Sequence, residues 1–219
     1  MSDTKGTETQ DCCGQKDPKL RILDAAAGLF ARKGFAAVGV REIAKEADVN
    51  ISMISYYFKG KMGVLKNIIE TYFIELKGII SSIIEMNLPR EENTRRLIHG
   101  IVQLARAKTN ICKVAFMEIP FDLPEISEYK NRMLHEHICF IKSNFQNAFP
   151  HDFDPMLHVI IGPALISMIF SHFMLDVSAR QEYSVKFDEN FFDLYSDTIA
   201  TIFISGIKGL YLEKSKAIS

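Results

Sequence analysis

The chain has 219 residues, 47% of them hydrophobic and 24% charged, the balance of an ordinary folded protein of one or two domains rather than a disordered or low-complexity one. Its net charge of −1 excludes a uniformly basic nucleic-acid binder. Four cysteines are too few for a disulfide scaffold, and residues 1–15 are polar without an apolar core, so a reduced, cytoplasmic protein with a disordered tail over 1–15 is expected.

A first helix is predicted from Pro18. Asp17 stands before it with a side chain that can accept from free backbone N–H groups, and proline suits the first turn. Ile22, Leu23, Ala26, Leu29 and Phe30 recur at helical spacing, and Gly34 is a natural stop. Two short helical patterns follow. Val40, Ile43, Ala44 and Ala47 mark one; Ile51, Ile54, Tyr57 and Phe58 mark the other. Only Asp48-Val49-Asn50 separates them, so they must cross steeply, as a helix-turn-helix does. A long helix is predicted over 61–86 on a stripe from Val64, Leu65 and Ile68 to Ile83 and Ile84, closed off by Pro89. Further helices are predicted over 91–109, 111–118, 124–149, 153–175 and 187–212. No alternation of strand length interrupts them, so the fold class is all-α.

Residues 156–175 carry no Asp, Glu, Lys or Arg, long enough a run to cross a bilayer. His158, the Gly162-Pro163 pair, Ser167, Ser171 and His172 interrupt it, and Asp154 and Asp176 flank it in place of basic anchors. A helix buried on nearly all sides, with no membrane, is the expectation. Charge is uneven elsewhere. Between Lys16 and Lys66 there are ten basic and five acidic side chains, so a polyanion would meet this N-terminal segment first.

The stretch Ile22-Leu23-Asp24-Ala25-Ala26, Leu29-Phe30 and Gly34-Phe35, then Val40 to Asn50, then Ile54-Ser55-Tyr56-Tyr57-Phe58-Lys59-Gly60-Lys61 and Leu65, resembles the DNA-binding domain of the TetR family of transcriptional regulators. The resemblance covers residues 16–76, with the helix-turn-helix over 39–58. It implies an N-terminal three-helix helix-turn-helix DNA-binding domain, followed over 77–219 by a helical effector-binding and dimerisation domain. It implies Asn50, Ile51, Ser52, Met53 and Ser55 as the groove-facing set, with Met53 against a thymine methyl and Ser52 toward a base or phosphate. Tyr56, Tyr57 and Lys61 are implied as phosphate contacts, and Arg41 as a phosphate or base contact. Asn50 also reads as an N-cap. The chain departs from the family pattern at Asp48, where glycine is usual; at Val38, three residues before Arg41, where threonine is common; and at Ser55, where tyrosine is frequent. Asp reaches the left-handed conformation more readily than most residues, so the turn survives.

From the same resemblance, a homodimer is expected, released from a near-palindromic DNA operator by a small apolar or aromatic effector; a ligand-released repressor is the expected sense of regulation. Candidate pocket residues are His99, Gln103, Phe116, Met117, Phe121, Phe140, Phe145, Met168 and His172, mostly apolar with a few polar groups. Candidate interface residues are Ile160, Ala164, Ser167, Ser171 and Met174 on one helix, and Phe192, Ile199, Phe203, Ile207 and Leu210 on the last, joining two helices from each subunit in a four-helix bundle. No nucleophile elbow, phosphate loop or His-Glu-x-x-His motif is present, so an enzyme is not expected, nor a cofactor. The six histidines lack metal-site spacing; His135 and His137, two apart, point to different sides of a helix. A metal or thiol sensor on the same DNA-binding domain, using Cys12 and Cys13, is the alternative, with a helical protein-interaction module behind it.

Overall fold

The computed structural model describes residues 17–116, 123–144, 155–174 and 186–217. They form nine helices and no strand: α1 (Pro18–Lys33), α2 (Val40–Glu46), α3 (Ile51–Phe58), α4 (Lys61–Glu85), α5 (Arg90–Ala107), α6 (Thr109–Phe116), α7 (Pro124–Asn144), α8 (Pro155–Met174) and α9 (Glu189–Ala217). The tail over 1–15, with Cys12 and Cys13, lies outside the described residues.

Helix α1 starts as its sequence predicts. The Asp17 carboxylate accepts the Lys19 backbone N–H at 2.9 Å, satisfying a donor that a helix start leaves free. It stops at Gly34, whose φ of 78° lies where a side chain would be strained. Ile22, Ala26 and Phe30 are buried from this helix, and Ile43, Ile54 and Phe58 meet them from α2 and α3.

Helix α4 belongs to both halves of the molecule. Val64, Leu65 and Ile68 close the N-terminal core, whereas Tyr72, Leu76 and Ile80 enter the C-terminal bundle. The boundary expected at residue 76 therefore falls inside a helix and inside one continuous core. Helix α6 packs on α1 as well as on α4. Ion pairs between Lys66 and Glu125 and between Glu75 and Lys108 tie α4 to α7 and to the start of α6. Helix α5 packs between α4 and α9, and its approach to α4 is close: a Cβ on Gly100 would stand 2.7 Å from Ile79 Cγ2.

Helix α8 departs from expectation. Ile161, Leu165, Ile169 and Phe170 are buried, but Ile160, Gly162, Pro163, Ala164, Ser167 and Ser171 are exposed. Among the described residues only one face of this uncharged helix is covered. None of the described helices is long and apolar enough to cross a membrane.

Candidate nucleic-acid interface

The turn between α2 and α3 is a Schellman motif. Asp48 sits in the left-handed region at φ 52°. Its N–H donates to the Lys45 carbonyl at 3.2 Å, and the Val49 N–H donates to the Ala44 carbonyl at 3.0 Å. Those are the two bonds by which such a cap satisfies the last carbonyls of a helix. Arg21 of α1 lies 3.7 Å from the Asp48 carboxylate. Helix α2 starts at Gly39 with no side-chain cap, consistent with Val38, in the position of the family's threonine, turning into the core.

Helix α3 is capped by Asn50. Its Oδ1 accepts the Ser52 backbone N–H at 2.9 Å and the Ser52 hydroxyl at 2.8 Å. Ile54 and Phe58, four apart, face the core, while Ile51, Ser52, Ser55 and Tyr56 face outward. Ile51 is 41% exposed and Tyr56 75%. Arg41 and Lys45, also four apart, are exposed on α2, and Lys59 follows α3. The α2 carboxylates are paired at the surface with α1: Glu42 with Lys33 and Glu46 with Arg32. The hydrogen bond from Lys33 holds the Glu42 carboxyl below the usual carboxylate range, against a weaker desolvation effect.

Three residues of the expected DNA-facing set stand elsewhere. Met53 is half-buried against the core, beside Ile54 on the helix and one turn from the half-buried Tyr57. Tyr57 is likewise half-buried, edge-on to Tyr56 at 5.0 Å between ring centroids. Lys61 is turned into the protein. Its ammonium donates to the carbonyls of Phe35 and Val38, both at 2.8 Å, and lies 4.2 Å from the centroid of the Phe35 ring. Burial lowers its pKa below the ordinary lysine value. Lys45 was missed by sequence reasoning, although its spacing from Arg41 puts both on one helical face.

The expected pocket residues divide. Phe116 stacks on Phe170 at 5.1 Å, and Tyr72 approaches Phe170 at 6.4 Å, so α4, α6 and α8 meet in one aromatic cluster. Met168 is half-buried against the core. His172 is buried among Phe173, Phe187, Phe191, Phe192 and Tyr195. Phe140, on α7, lies under the Lys77 ammonium of α4. His99 and Gln103 belong instead to an outer polar seam between α5 and α9, where His99 Nδ1 stands 3.4 Å from the Ser196 hydroxyl and Arg106 pairs with Glu189. His99 is exposed there and Gln103 half-buried. Met117, Phe121 and Phe145 lie outside the described residues.

The expected interface residues divide too. Ile160, Ala164, Ser167 and Ser171 are exposed along α8. Met174 ends α8, with its side chain outside the described set. On α9, Phe192 and Ile199 are buried within the subunit, facing α5 and α8 rather than outward. Phe203 and Ile207 are half-buried and Leu210 is exposed. The most exposed apolar residues described on α9 are Leu194 and Ile202, at 67% and 56%, and on α8 Ile160 is 60% exposed. Among the described residues no group of three or more His, Cys, Asp or Glu could hold a metal ion.

Residues 22–68 match the family model described as bacterial regulatory proteins, tetR family. The N-terminal domain belongs to the TetR family. In Bacillus subtilis, a protein named a probable HTH-type transcriptional regulator, YttP, is 33% identical over 120 residues, which is 53% of this chain and 57% of that protein. The HTH-type transcriptional repressor KstR of Rhodococcus jostii is 36% identical over 62 residues, 28% of this chain and 29% of that protein. The fatty acid degradation regulator FadR of Bacillus halodurans has a similar fold, with a TM-score of 0.70 at 18% identity, covering 88% of this chain and 97% of that one. FadR of Bacillus subtilis, solved in complex with stearoyl-CoA, has a TM-score of 0.62 at 20% identity, covering 85% and 98%. The TetR-type fold thus extends over the helical C-terminal part. These relatives are transcriptional regulators rather than enzymes, as the sequence leads one to expect of this chain.

Proposed function

We propose that the chain is a homodimeric transcriptional repressor whose TetR-type heads hold a near-palindromic operator and let go when an apolar effector binds the C-terminal bundle. The single observation that carries this is α3: a capped helix with its uncharged polar and apolar side chains outward, flanked by Arg41, Lys45 and Lys59. Such a helix enters the major groove while the cations bind phosphate. Arg41, Asn50, Ile51, Ser52, Ser55 and Tyr56 form its DNA-facing set.

The unpartnered outer face of α8 and α9 supports the dimer. Ile160 on α8 and Leu194 and Ile202 on α9 are exposed, and the exposed Gly162, Ala164, Ser167 and Ser171 of α8 are small enough to let a partner helix approach closely. The aromatic cluster around Phe170 supports an apolar effector, and an acyl-CoA is the first to test, since one occupies the similar Bacillus subtilis FadR. Helices α4 and α6 link that cluster to the head, and about 1.4 kcal/mol of coupling changes DNA affinity tenfold.

Sedimentation of the full chain with its operator duplex, with and without stearoyl-CoA, tests the proposal. Two subunits per duplex, released by the acyl-CoA and reduced to monomers by Leu194→Asp with Ile202→Asp, are expected. A monomer at micromolar concentration, or a complex indifferent to every apolar ligand tried, would contradict it.

A further inference from the structure

We infer that α3 reads its half-site through a thymine methyl at Ile51 and an amino-bearing base at Ser52. This rests on the reading above that α3 enters the major groove. The helix sequence, ISMISYYF, has no charged residue and no amide. The usual bidentate pairings, Arg or Lys on guanine and Asn or Gln on adenine, are therefore missing from its length. Asn50 cannot supply the adenine pairing, which needs its carbonyl oxygen to accept from N6. That oxygen already accepts two hydrogen bonds from Ser52.

Those two bonds also fix what Ser52 offers. A backbone N–H can only donate, so the Asn50 atom it meets is the oxygen. The Ser52 hydroxyl, bonded to that same oxygen, must then give its proton to it. Only lone pairs remain to face outward. They match an exocyclic amino group, N6 of adenine or N4 of cytosine, and repel the O6 or O4 acceptors of guanine and thymine.

Ile51 completes the pattern. It is the first residue of the helix, and its large aliphatic side chain is exposed with no part in the core. In the major groove, the group that removes such a side chain from water is the C5 methyl of thymine. Met53, the other aliphatic candidate, faces the core.

The test begins with selection of bound duplexes from a randomised library by the full chain. Deoxyuridine is then placed at each selected thymine, removing one methyl and nothing else. One thymine per half-site is expected at which deoxyuridine weakens binding about fourfold. The penalty should vanish in Ile51→Ala, whose exposed position leaves folding intact. Ser52→Ala should keep that thymine but lose the preference for adenine or cytosine beside it. Deoxyuridine tolerated at every position, or a penalty unchanged in Ile51→Ala, would overturn the inference while leaving DNA binding in place. A library with no enriched sequence would overturn the DNA reading itself, and this inference with it.

Discussion

The Lys61 ammonium, at the start of α4, reaches back 26 residues in sequence to the Phe35 carbonyl and holds it at 2.8 Å. With the second bond to Val38, also 2.8 Å, it staples the loop between α1 and α2 to the long helix. Hydrogen bonds to a charged group contribute about 1.5–3 kcal/mol each, so Lys61→Met should lower stability by at least about 1.5 kcal/mol in urea titration. The salt dependence of DNA binding should hardly change. A phosphate contact would instead reduce the salt slope by about one, and that result would return Lys61 to the DNA-facing set.

Asp48 occupies a left-handed position in which its side chain makes a solvent-facing ion pair with Arg21. Exposed pairs contribute about 0–1 kcal/mol, whereas an ordinary side chain in that conformation costs about 1–2 kcal/mol. Asp48→Gly should therefore leave the denaturation midpoint nearly unchanged or raise it. Asp48→Ala should lower stability by about 1 kcal/mol. Equal effects of the two would show that the turn does not depend on backbone conformation.

Gly63 has no room for a methyl group. A Cβ there would lie 1.6 Å from the Phe58 carbonyl oxygen, where α3 runs into α4. Gly63→Ala must push α3 away from α4, at a cost of about 1–3 kcal/mol or more, and DNA affinity should fall further than stability does. Gly78, on the same helix, meets nothing within 4 Å; Gly78→Ala should be neutral or stabilising by up to about 1 kcal/mol. Circular dichroism melts and anisotropy on the two variants check both halves of this contrast.

His137 of α7 is buried against α4, beside Phe73, and its Nε2 has no hydrogen-bond partner among the described residues. Burial, with a smaller effect from the Lys77 ammonium, pushes its pKa down to about 4. The folded state thus keeps the ring neutral while the unfolded chain protonates near the ordinary value of 6.5. Stability is present above that value and is lost as pH falls toward 4, by about 3 kcal/mol from this residue. His137→Phe should flatten the pH dependence of the urea midpoint between pH 7 and pH 4. An unchanged slope would place the acid sensitivity elsewhere.

The N-terminal helices were legible because their signals are local. Asp17, Pro18 and Gly34 bracket α1, and the caps of α2 and α3 lie within three residues of the helices they serve. Lys61 was not, because a lysine at a helix start reads as a free cation until the loop beside it is known. The outer face of α9 was illegible for a different reason. Phe192 and Ile199 on one side, and Leu194 and Ile202 on the other, are all apolar, so periodicity could not choose which side faces α5. Helix α8 lacks any charge to mark its exposed side. The cluster of Tyr72, Phe116 and Phe170 joins three helices distant in sequence, and no pattern within one helix announces it.

Sequence-selective DNA binding through the TetR-type head underlies every role proposed for this chain. Fluorescence anisotropy of the full chain, on its selected duplex and on a scrambled duplex of the same composition, across a range of salt, tests it most directly. A preference of about a thousandfold or more for the selected duplex is expected, with a steep loss of affinity with salt and a shallower slope when Arg41 and Lys45 are replaced by alanine. Equal affinity for the two duplexes at every salt concentration would contradict it.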